Sequence, residues 1–179
     1  MKIAMVGIYG GVNRDFNPGN VLIAYYTKRE LIRRINNAVI DIYSLDCSMK
    51  QGMEYVTCFE NKPYEMKICF FANSWGEELC SLLNQEYDSV ILGGDIIIGL
   101  SDVFFLENLT LRKKHPPIFI NGVSSLWRPQ LISDYQKEKL NMLAKECVYI
   151  AVRENYVKEV FRSCNLDPKF VCLSLGCNN

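Results

Sequence analysis

Glycine, asparagine and aspartate residues follow the apolar segments of this chain at points where a strand would end. Gly93-Gly94-Asp95 follows the apolar run 90–92, and Asn121-Gly122 follows the apolar run 118–120. Glycine lets a ligand approach the backbone closely, and Asn and Asp side chains form hydrogen bonds with hydroxyl groups. These residue types suit a site for a polar small molecule. The alternative for each is an ordinary tight turn, where Gly, Asn and Asp are also common.

A second group of this kind lies near the amino terminus. Gly10 and Gly11 follow the apolar segment 2–7, and Asn17-Pro18-Gly19-Asn20 precedes an amphipathic segment. The first turn of a helix presents unpaired N–H groups, which favour an anion such as phosphate. The glycine spacing matches neither the phosphate-loop motif nor the dinucleotide fingerprint, which argues against an ATP- or nicotinamide-dependent enzyme.

Arg153 is the cation that the pattern singles out. It follows the apolar segment 148–152, where a guanidinium would present paired donors to a carboxylate or phosphate. An arginine bonded to backbone carbonyl groups is the equally acceptable alternative. His115 is the only histidine, and it lies in a charged segment next to prolines. We expect a solvated side chain there, and therefore no Ser–His–Asp or Cys–His catalytic set.

Strand-like and helix-like patterns alternate along the chain. Strands are expected at 2–7, 39–45, 90–92, 118–120, 148–152 and 170–173, and helices at 21–36, 75–86, 101–112, 133–147 and 154–163. This alternation predicts an α/β fold with a Rossmann-like, doubly wound and mostly parallel sheet. The carboxyl ends of parallel strands share one edge, so the candidate residues are expected to converge on one cleft.

Two segments leave structural alternatives open. The stretches 55–59 and 67–71 are strand-like with Pro63 between them, which suits either a hairpin or one strand plus a loop. The first helix has two candidate N-caps, Asn17 and Asn20. Its apolar face is predicted to hold Val21, Leu22, Tyr25, Ile32 and Ile35.

Composition excludes several classes of protein. The 20 basic and 20 acidic residues balance, so bulk charge gives no indication of a nucleic-acid partner. The apolar segments are too short for an integral membrane span or a signal peptide, which predicts a cytoplasmic protein. No pair among the eight cysteines has the CxxC spacing of a zinc or redox site, and we expect neither a metal nor a cofactor.

Taken in order, several segments resemble the polysaccharide pyruvyl transferase family. They are Met1-Lys2-Ile3-Ala4, Tyr9-Gly10-Gly11, Asn17-Pro18-Gly19-Asn20, Asp88-Ser89-Val90-Ile91-Leu92-Gly93-Gly94, Ile118-Phe119-Ile120-Asn121-Gly122 and Ala151-Val152-Arg153-Glu154-Asn155. Such enzymes move the enolpyruvyl group of phosphoenolpyruvate onto a sugar as a pyruvate ketal. They have two facing Rossmann-like domains, similar to GT-B glycosyltransferases.

The resemblance implies a domain arrangement and two small-molecule partners. It covers nearly the whole chain but only the first half of a typical member, so residues 1–179 are expected to form a single Rossmann-like domain of a longer protein. The implied partners are phosphoenolpyruvate and a sugar acceptor, with a second domain or a homo-oligomer completing the site. By resemblance, Arg153 would hold an anionic group of phosphoenolpyruvate.

Some positions depart from the family pattern. Asn20 stands where the family has Asp, and Asp95 stands where it has a third glycine. After the arginine, Glu154 and Val157 replace an Asp and a Ser or Thr. These changes predict altered contacts with the donor or the acceptor. The chain offers one good cation and no evident general acid, so by itself it is expected to be inactive or incomplete.

The substrate-binding set predicted from the sequence consists of loop, helix-start and strand-end residues. Its members are Gly10, Gly11, Asn17, Gly19, Asn20, Gly93, Gly94, Asp95, Asn121, Gly122 and Arg153. Two other functions fit the same fold. One is a non-catalytic Rossmann-like sensor or interaction module, and the other is a GT-B-like glycosyltransferase half that uses a nucleotide sugar.

Overall fold

The computed structural model describes most of the sheet and the helices that flank it. The described residues are 1–8, 18–44, 54–59, 62–67, 69–70, 77–94, 97–98, 109, 115–125, 128–152, 154–166 and 169–170.

A parallel sheet forms the centre of the molecule. Its strands are β1 (Lys2–Ile8), β2 (Val39–Ser44), β5 (Cys69–Phe70), β6 (Ser89–Gly94), β7 (Ile97–Ile98), β8 (Ile118–Ser125), β9 (Cys147–Val152) and β10 (Lys169–Phe170). The lateral order is β10-β9-β8-β6-β1-β2-β5, with β7 paired to β8 off this path. Every pairing in this sheet is parallel. The predicted Rossmann-like α/β fold is therefore confirmed, because a strand order that runs outward in both directions from β1 defines a doubly wound sheet.

Four helices flank the sheet: α1 (Pro18–Arg34), α2 (Glu77–Glu86), α3 (Asp134–Glu146) and α4 (Asn155–Arg162). On one face, Ile3 and Met5 of β1 pack with Ile40 and Ile42 of β2 beneath Ala24 of α1. Residues of α2, α3 and α4 share the core cluster on the other face. Right-handed crossovers explain this division. The connection from β1 to β2 runs in one lateral direction, and the later connections from β5 to β6 and on to β10 run in the opposite direction.

The second core is the larger one. Alternate residues of the central strands, such as Val6, Leu92 and Ile120, meet Leu83 of α2 and Phe161 of α4 there. These side chains are at most 2 % exposed. A strand buried on both faces needs a continuous apolar run, and that is the pattern from which these strands were predicted.

Helix α1 begins at Pro18, as a cap at Asn17 requires, although Asn17 itself lies outside the described residues. Asn20 lies inside the helix and is not its cap. The prediction for Ile32 was wrong, because this side chain is 50 % exposed. Leu31 and Ile35 face the core together with Ala24, and the next residue in a helix points about 100° away from its neighbour.

The ambiguous middle of the chain forms a hairpin and a separate short strand. β3 (Glu54–Phe59) pairs antiparallel with β4 (Lys62–Lys67), and β5 then joins the main sheet beside β2. Pro63 lies within β4, opposite Cys58. A two-stranded ribbon has only edge strands, where a proline need not donate to a neighbour.

Two later helices form where the sequence predicted them. Ser133 caps α3 through a reciprocal capping box with Gln136, and Leu140 is buried. In α4, Val157, Val160 and Phe161 face the core, whereas Tyr156 is 44 % exposed.

Several predicted features fall on undescribed residues. They are most of the 101–112 helix and the strand residues beyond Phe170. Within 101–112, Leu109 is described, and it is fully buried in the larger core.

Candidate functional site

The crevice that a doubly wound sheet offers to a ligand lies between β1 and β6. From β1 the chain builds the sheet towards β2 and β5, and from β6 it builds the sheet in the opposite lateral direction. In doubly wound sheets, the connections leave the carboxyl ends of two such neighbours on opposite faces, with a space between them. Ligands of open α/β sheets bind at such a switch point.

The last row of the sheet before this crevice consists mainly of small residues. The pairings place Ser44, Gly7, Gly93, Asn121 and Ala151 side by side on five adjacent strands. By strand alternation these residues share the α1 face, because Met5, Ile42 and Ile91 two positions earlier belong to the α1 cluster. Gly7, Gly93 and Ala151 are buried and Asn121 is half-buried, and a ligand that reaches such small residues can approach the backbone closely.

Asn121 is the largest side chain of this row between Ser44 and Ala151. It is half-buried, and its backbone lies directly beside Gly93. An amide supplies two donors and one acceptor, so it can bind either an anion or a sugar hydroxyl. The described residues contain no hydrogen-bond partner for this side chain.

The Asn121-Gly122 pair is not the turn that the sequence indicated. β8 continues through it to Ser125, with a register shift against β9 between Asn121 and Val123. Gly122 has a φ of 73° and is buried. Asn121 pairs with Ala151 and Val123 with Val152, so Gly122 is the additional residue of a β-bulge.

The start of α1 adds a favourable potential for anions. α1 connects the carboxyl end of β1 to the amino end of β2, so its first turn, with Gly19 and Asn20, lies towards the crevice edge. That turn contains no acidic residue, whereas Arg33 and Arg34 lie in the last turn. The helix dipole at its amino end is thus uncompensated by a side-chain carboxylate in this turn.

The other predicted site residues are only partly described. Gly93 and Gly94 end β6, beside Gly7 and Ile8 of β1. Gly10, Gly11, Asn17, Asp95 and Arg153 lie outside the described residues. The structure thus brings Gly93, Gly94, Asn121 and Gly122 together at one edge, with Gly19 and Asn20 on the helix that starts there.

The register also reveals positions that the sequence analysis did not select. Gly7 and Ser44 were treated as ordinary strand residues, and Lys169 was not considered. In the sheet, Lys169 pairs with Ala151 and so extends the row on β10. The lateral strand order that creates this row carries no local sequence signal.

A buried polar network lies on the opposite face of the sheet. The Tyr87 hydroxyl donates to Asp41 Oδ2 at 2.7 Å and shares a hydrogen bond with the Tyr43 hydroxyl. Burial, followed by these hydrogen bonds, raises the pKa of Tyr87 far above its ordinary value. The phenol therefore stays protonated and ties β2 to the start of β6; it is not placed to act as a catalytic base.

His115 lies at the amino edge, away from the crevice. Its Nε2 is 3.1 Å from Glu146 Oε2, and its Nδ1 is 3.0 Å from the Pro116 carbonyl oxygen. The ring is 19 % exposed, so the prediction of a solvated side chain was wrong. His115 precedes β8, whereas the crevice lies beyond the carboxyl ends of the strands.

Cys80, Cys147 and Cys164 lie fully or partly buried in the fold. Cys80 and Cys164 are buried, as expected for small apolar side chains. At Cys147, burial and the neighbouring Glu146 charge raise the pKa of the thiol to about 12. A protonated thiol is a poor nucleophile. The described residues include no cluster of three His, Cys, Asp or Glu side chains that could hold a metal ion.

These features define an α/β fold with a Rossmann-like sheet and a candidate ligand site at its switch point. The family model for polysaccharide pyruvyl transferase matches residues 17–172. The chain belongs to this family, which confirms the resemblance given by its segments. No curated protein matches the chain. Within the described residues, no helix has both the length and the apolarity needed to cross a bilayer.

Proposed function

We propose that this chain is a pyruvyl-transferase-like domain that transfers a pyruvyl group from phosphoenolpyruvate to a sugar of a polysaccharide. The observation that carries the proposal is the row of Gly7, Gly93 and Asn121 at the switch point of a chain that matches the family over residues 17–172. Family membership supplies the reaction class, and the row supplies a place for a polar ligand.

The donor would be bound through its two anionic groups. Phosphoenolpyruvate carries a phosphate and a carboxylate, and backbone N–H groups at the start of α1 suit the phosphate. Gly10, Gly11 and Asn17 precede that helix, and Gly19 and Asn20 lie in its first turn. Arg153, between β9 and α4 in the sequence, is proposed to hold the second anionic group by paired hydrogen bonds.

The acceptor sugar would contact the polar groups beside Gly93. The Asn121 amide can accept from one hydroxyl and donate to another, and Asp95, next to Gly94 in the chain, can accept from a sugar hydroxyl. Glycines at the end of β6 leave space for a sugar ring near the backbone. This arrangement would place a hydroxyl oxygen near the donor.

The reaction balances without a redox cofactor. The methylene carbon of phosphoenolpyruvate gains a proton, and two sugar hydroxyl groups each form a C–O bond to the adjacent carbon. Those hydroxyl groups lose two protons, one of which balances the proton gained by carbon. The C–O bond to phosphate breaks with its electron pair on the departing phosphate, which takes up the second proton. Positive groups stabilise the carboxylate and the leaving phosphate, and an acid must deliver the proton to carbon.

A further domain or another copy of the chain is proposed to complete this chemistry. Between Ser44 and Ala151 the row contains no charged side chain, so additional cations and the general acid must come from elsewhere. A facing Rossmann-like half, as in GT-B-like enzymes, would supply them across the crevice. A cytoplasmic location fits the use of phosphoenolpyruvate as donor.

The test is ligand-dependent stabilisation of the full chain, followed by calorimetric titration. A ligand at 100 times its dissociation constant adds about 2.7 kcal/mol to the free energy of unfolding. For a chain of this size, that corresponds to a rise of roughly 5–10 °C in Tm. We expect stabilisation by phosphoenolpyruvate, with Arg153→Gln losing most of it. Arg162→Gln is the matched control, because Arg162 pairs with Glu159 at 2.9 Å on the surface of α4.

Other outcomes select the rival functions. Stabilisation by a nucleotide sugar and not by phosphoenolpyruvate would replace this proposal with the glycosyltransferase-like one. A third outcome is that neither ligand stabilises the chain and that sugars stay unchanged when incubated with phosphoenolpyruvate and the chain together with its proposed second domain. That outcome would favour the non-catalytic module.

A further inference from the structure

Strand β8 differs from its neighbours in how far it extends past the small-residue row. β1, β6 and β9 each end one residue beyond that row, at Ile8, Gly94 and Val152. β8 continues for four residues after Asn121, to Ser125. Val123 pairs with Val152, the last residue of β9, so Ser124 and Ser125 carry β8 about 7 Å beyond that strand end.

A second short strand supports this extension. Ile97 and Ile98 of β7 pair in parallel with Ser124 and Ser125, and the two segments together form what we call the β7–β8 ribbon. Before the bulge, β8 pairs with β6 up to Gly93. Four chain steps separate Gly93 from Ile97, whereas three separate Asn121 from Ser124, so the pairing register changes across the bulge.

Gly122 is the residue at which β8 changes its pairing. Its φ of 73° lies in the left-handed region, and it is buried next to the row that contains Asn121. A residue with a Cβ atom pays a penalty in this region, whereas glycine does not. Bulges bend the strand that carries them and change the direction of the residues beyond the bend, often beside active sites.

We propose that Gly122 is a positioning residue whose left-handed backbone directs the β7–β8 ribbon to form a side wall of the ligand crevice. The claim about the wall rests on the proposed function, because it assumes a ligand between β1 and β6. The claim about the backbone is independent of any ligand and is tested separately.

Amide hydrogen exchange of the unliganded chain tests the backbone claim. In Gly122→Ala, peptides that contain the ribbon should exchange roughly 5- to 30-fold faster, while peptides from β1 keep their protection. Gly122→Asn should lie between glycine and alanine, because asparagine tolerates positive φ better than other residues with a side chain. Asn37→Ala is the matched control: Asn37 also has a positive φ, of 59°, but lies between α1 and β2.

The relative exchange rates of Gly122→Asn and Gly122→Ala distinguish a requirement for the left-handed backbone conformation from a requirement for a small side chain. Asparagine is larger than alanine, so a purely steric role predicts that Gly122→Asn exchanges faster than Gly122→Ala. That order would overturn the proposal, as would equal acceleration in the ribbon and in β1. Ribbon protection that stays unchanged in both variants would overturn it as well.

Phosphoenolpyruvate titration of the same variants tests the wall. Its affinity should follow the exchange order, with glycine strongest, then asparagine, then alanine. If the parent chain does not bind phosphoenolpyruvate, the proposed function fails while the exchange result still decides the role of Gly122. If the parent binds and both variants bind equally well, the ribbon is not a wall of the site.

Discussion

The amino ends and the carboxyl ends of the parallel strands form two opposite edges of the sheet, and these two edges contain different kinds of residue. At the amino edge, the Lys2 backbone N–H donates to Asp88 Oδ2 at 2.7 Å, and the Asp88 N–H donates to the Lys2 carbonyl at 2.8 Å. At the same end of the sheet, the side chains of His115 and Glu146 pair with each other just before β8 and β9 begin. At the carboxyl edge, the row from Ser44 to Ala151 offers glycines, a serine, an alanine and one amide.

This contrast separates residues that hold the strands together from residues that, under the proposed function, contact a ligand. Polar groups at the amino edge bind one another, so their removal should cost stability and leave binding unchanged. At the carboxyl edge Gly7, Gly93 and Ala151 are buried, so larger replacements there would also disturb packing; the half-buried Asn121 is the position where a substitution should chiefly change ligand binding. Single substitutions at matched positions test this division.

The largest effect should come from the core that supports both edges. Phe161→Ala removes a fully buried ring of α4, and a change of this kind costs about 3–5 kcal/mol in free energy of unfolding. Urea unfolding monitored by circular dichroism measures it. Tyr156→Ala in the same helix, with 44 % exposure, should cost far less. Similar losses at both positions would contradict the assignment of the buried face.

A smaller loss of free energy of unfolding is expected for the buried Tyr87 hydroxyl, which forms hydrogen bonds with residues of β2. Tyr87→Phe removes the donor to Asp41 and the partner of Tyr43. Leaving buried polar groups without this partner costs about 1–3 kcal/mol. Tyr135→Phe on the exposed side of α3, with 64 % exposure, serves as the control in the same unfolding experiment. Equal stability of the two variants would show that the network adds nothing.

At the amino edge, the His115–Glu146 pair should give a modest coupling. Glu146 is 47 % exposed, and such pairs typically contribute about 0–1 kcal/mol. A double-mutant cycle of His115→Ala and Glu146→Ala in thermal unfolding measures the coupling. Neither substitution should alter binding of phosphoenolpyruvate. A loss of binding here would break the division between the edges.

The smallest effect on stability is expected at the carboxyl edge. Asn121→Ala should change the free energy of unfolding by less than about 0.5 kcal/mol, because its amide has no partner among the described residues. The affinity for phosphoenolpyruvate or for the acceptor sugar should nevertheless fall roughly two- to tenfold, as expected for one lost hydrogen bond. Asn36→Ala, an exposed residue after α1, is the control. Loss of stability without loss of affinity would show that Asn121 holds the strands together and does not contact the ligand.

Strand and helix positions were predictable because burial on both faces requires continuous apolar runs. The segments at 90–92, 118–120 and 148–152 each became a central strand of the sheet. The helix predicted at 133–147 forms as α3, and the structure adds a capping box between Ser133 and Gln136 that had not been predicted. Ile32 was misassigned because a helix of mixed composition leaves more than one apolar direction open, and contact with the sheet decides between them.

The site was only partly predictable, because its geometry depends on strand order and register. Gly93 and Asn121 were selected separately as strand-end residues, but nothing local shows that they are direct neighbours. Asn-Gly is a strong turn signal, and here the same residue types serve a bulge inside a longer strand. The deciding factor is the pairing of Val123 with Val152 and of Ser124 with Ile97, which joins segments far apart in the sequence.

The central position of β1 has a consequence for synthesis of the chain. One neighbour, β2, follows it closely, but the other is β6, and the contact between Lys2 and Asp88 spans 86 residues. At a translation rate of about 5–20 residues per second, β1 waits roughly 4–17 s for that partner. During this time Ala4 and Val6 lack most of the larger core that covers them, and one hydrogen-bonding side of β1 has no partner strand. The nascent amino-terminal segment is therefore expected to expose a strand edge that a chaperone can protect.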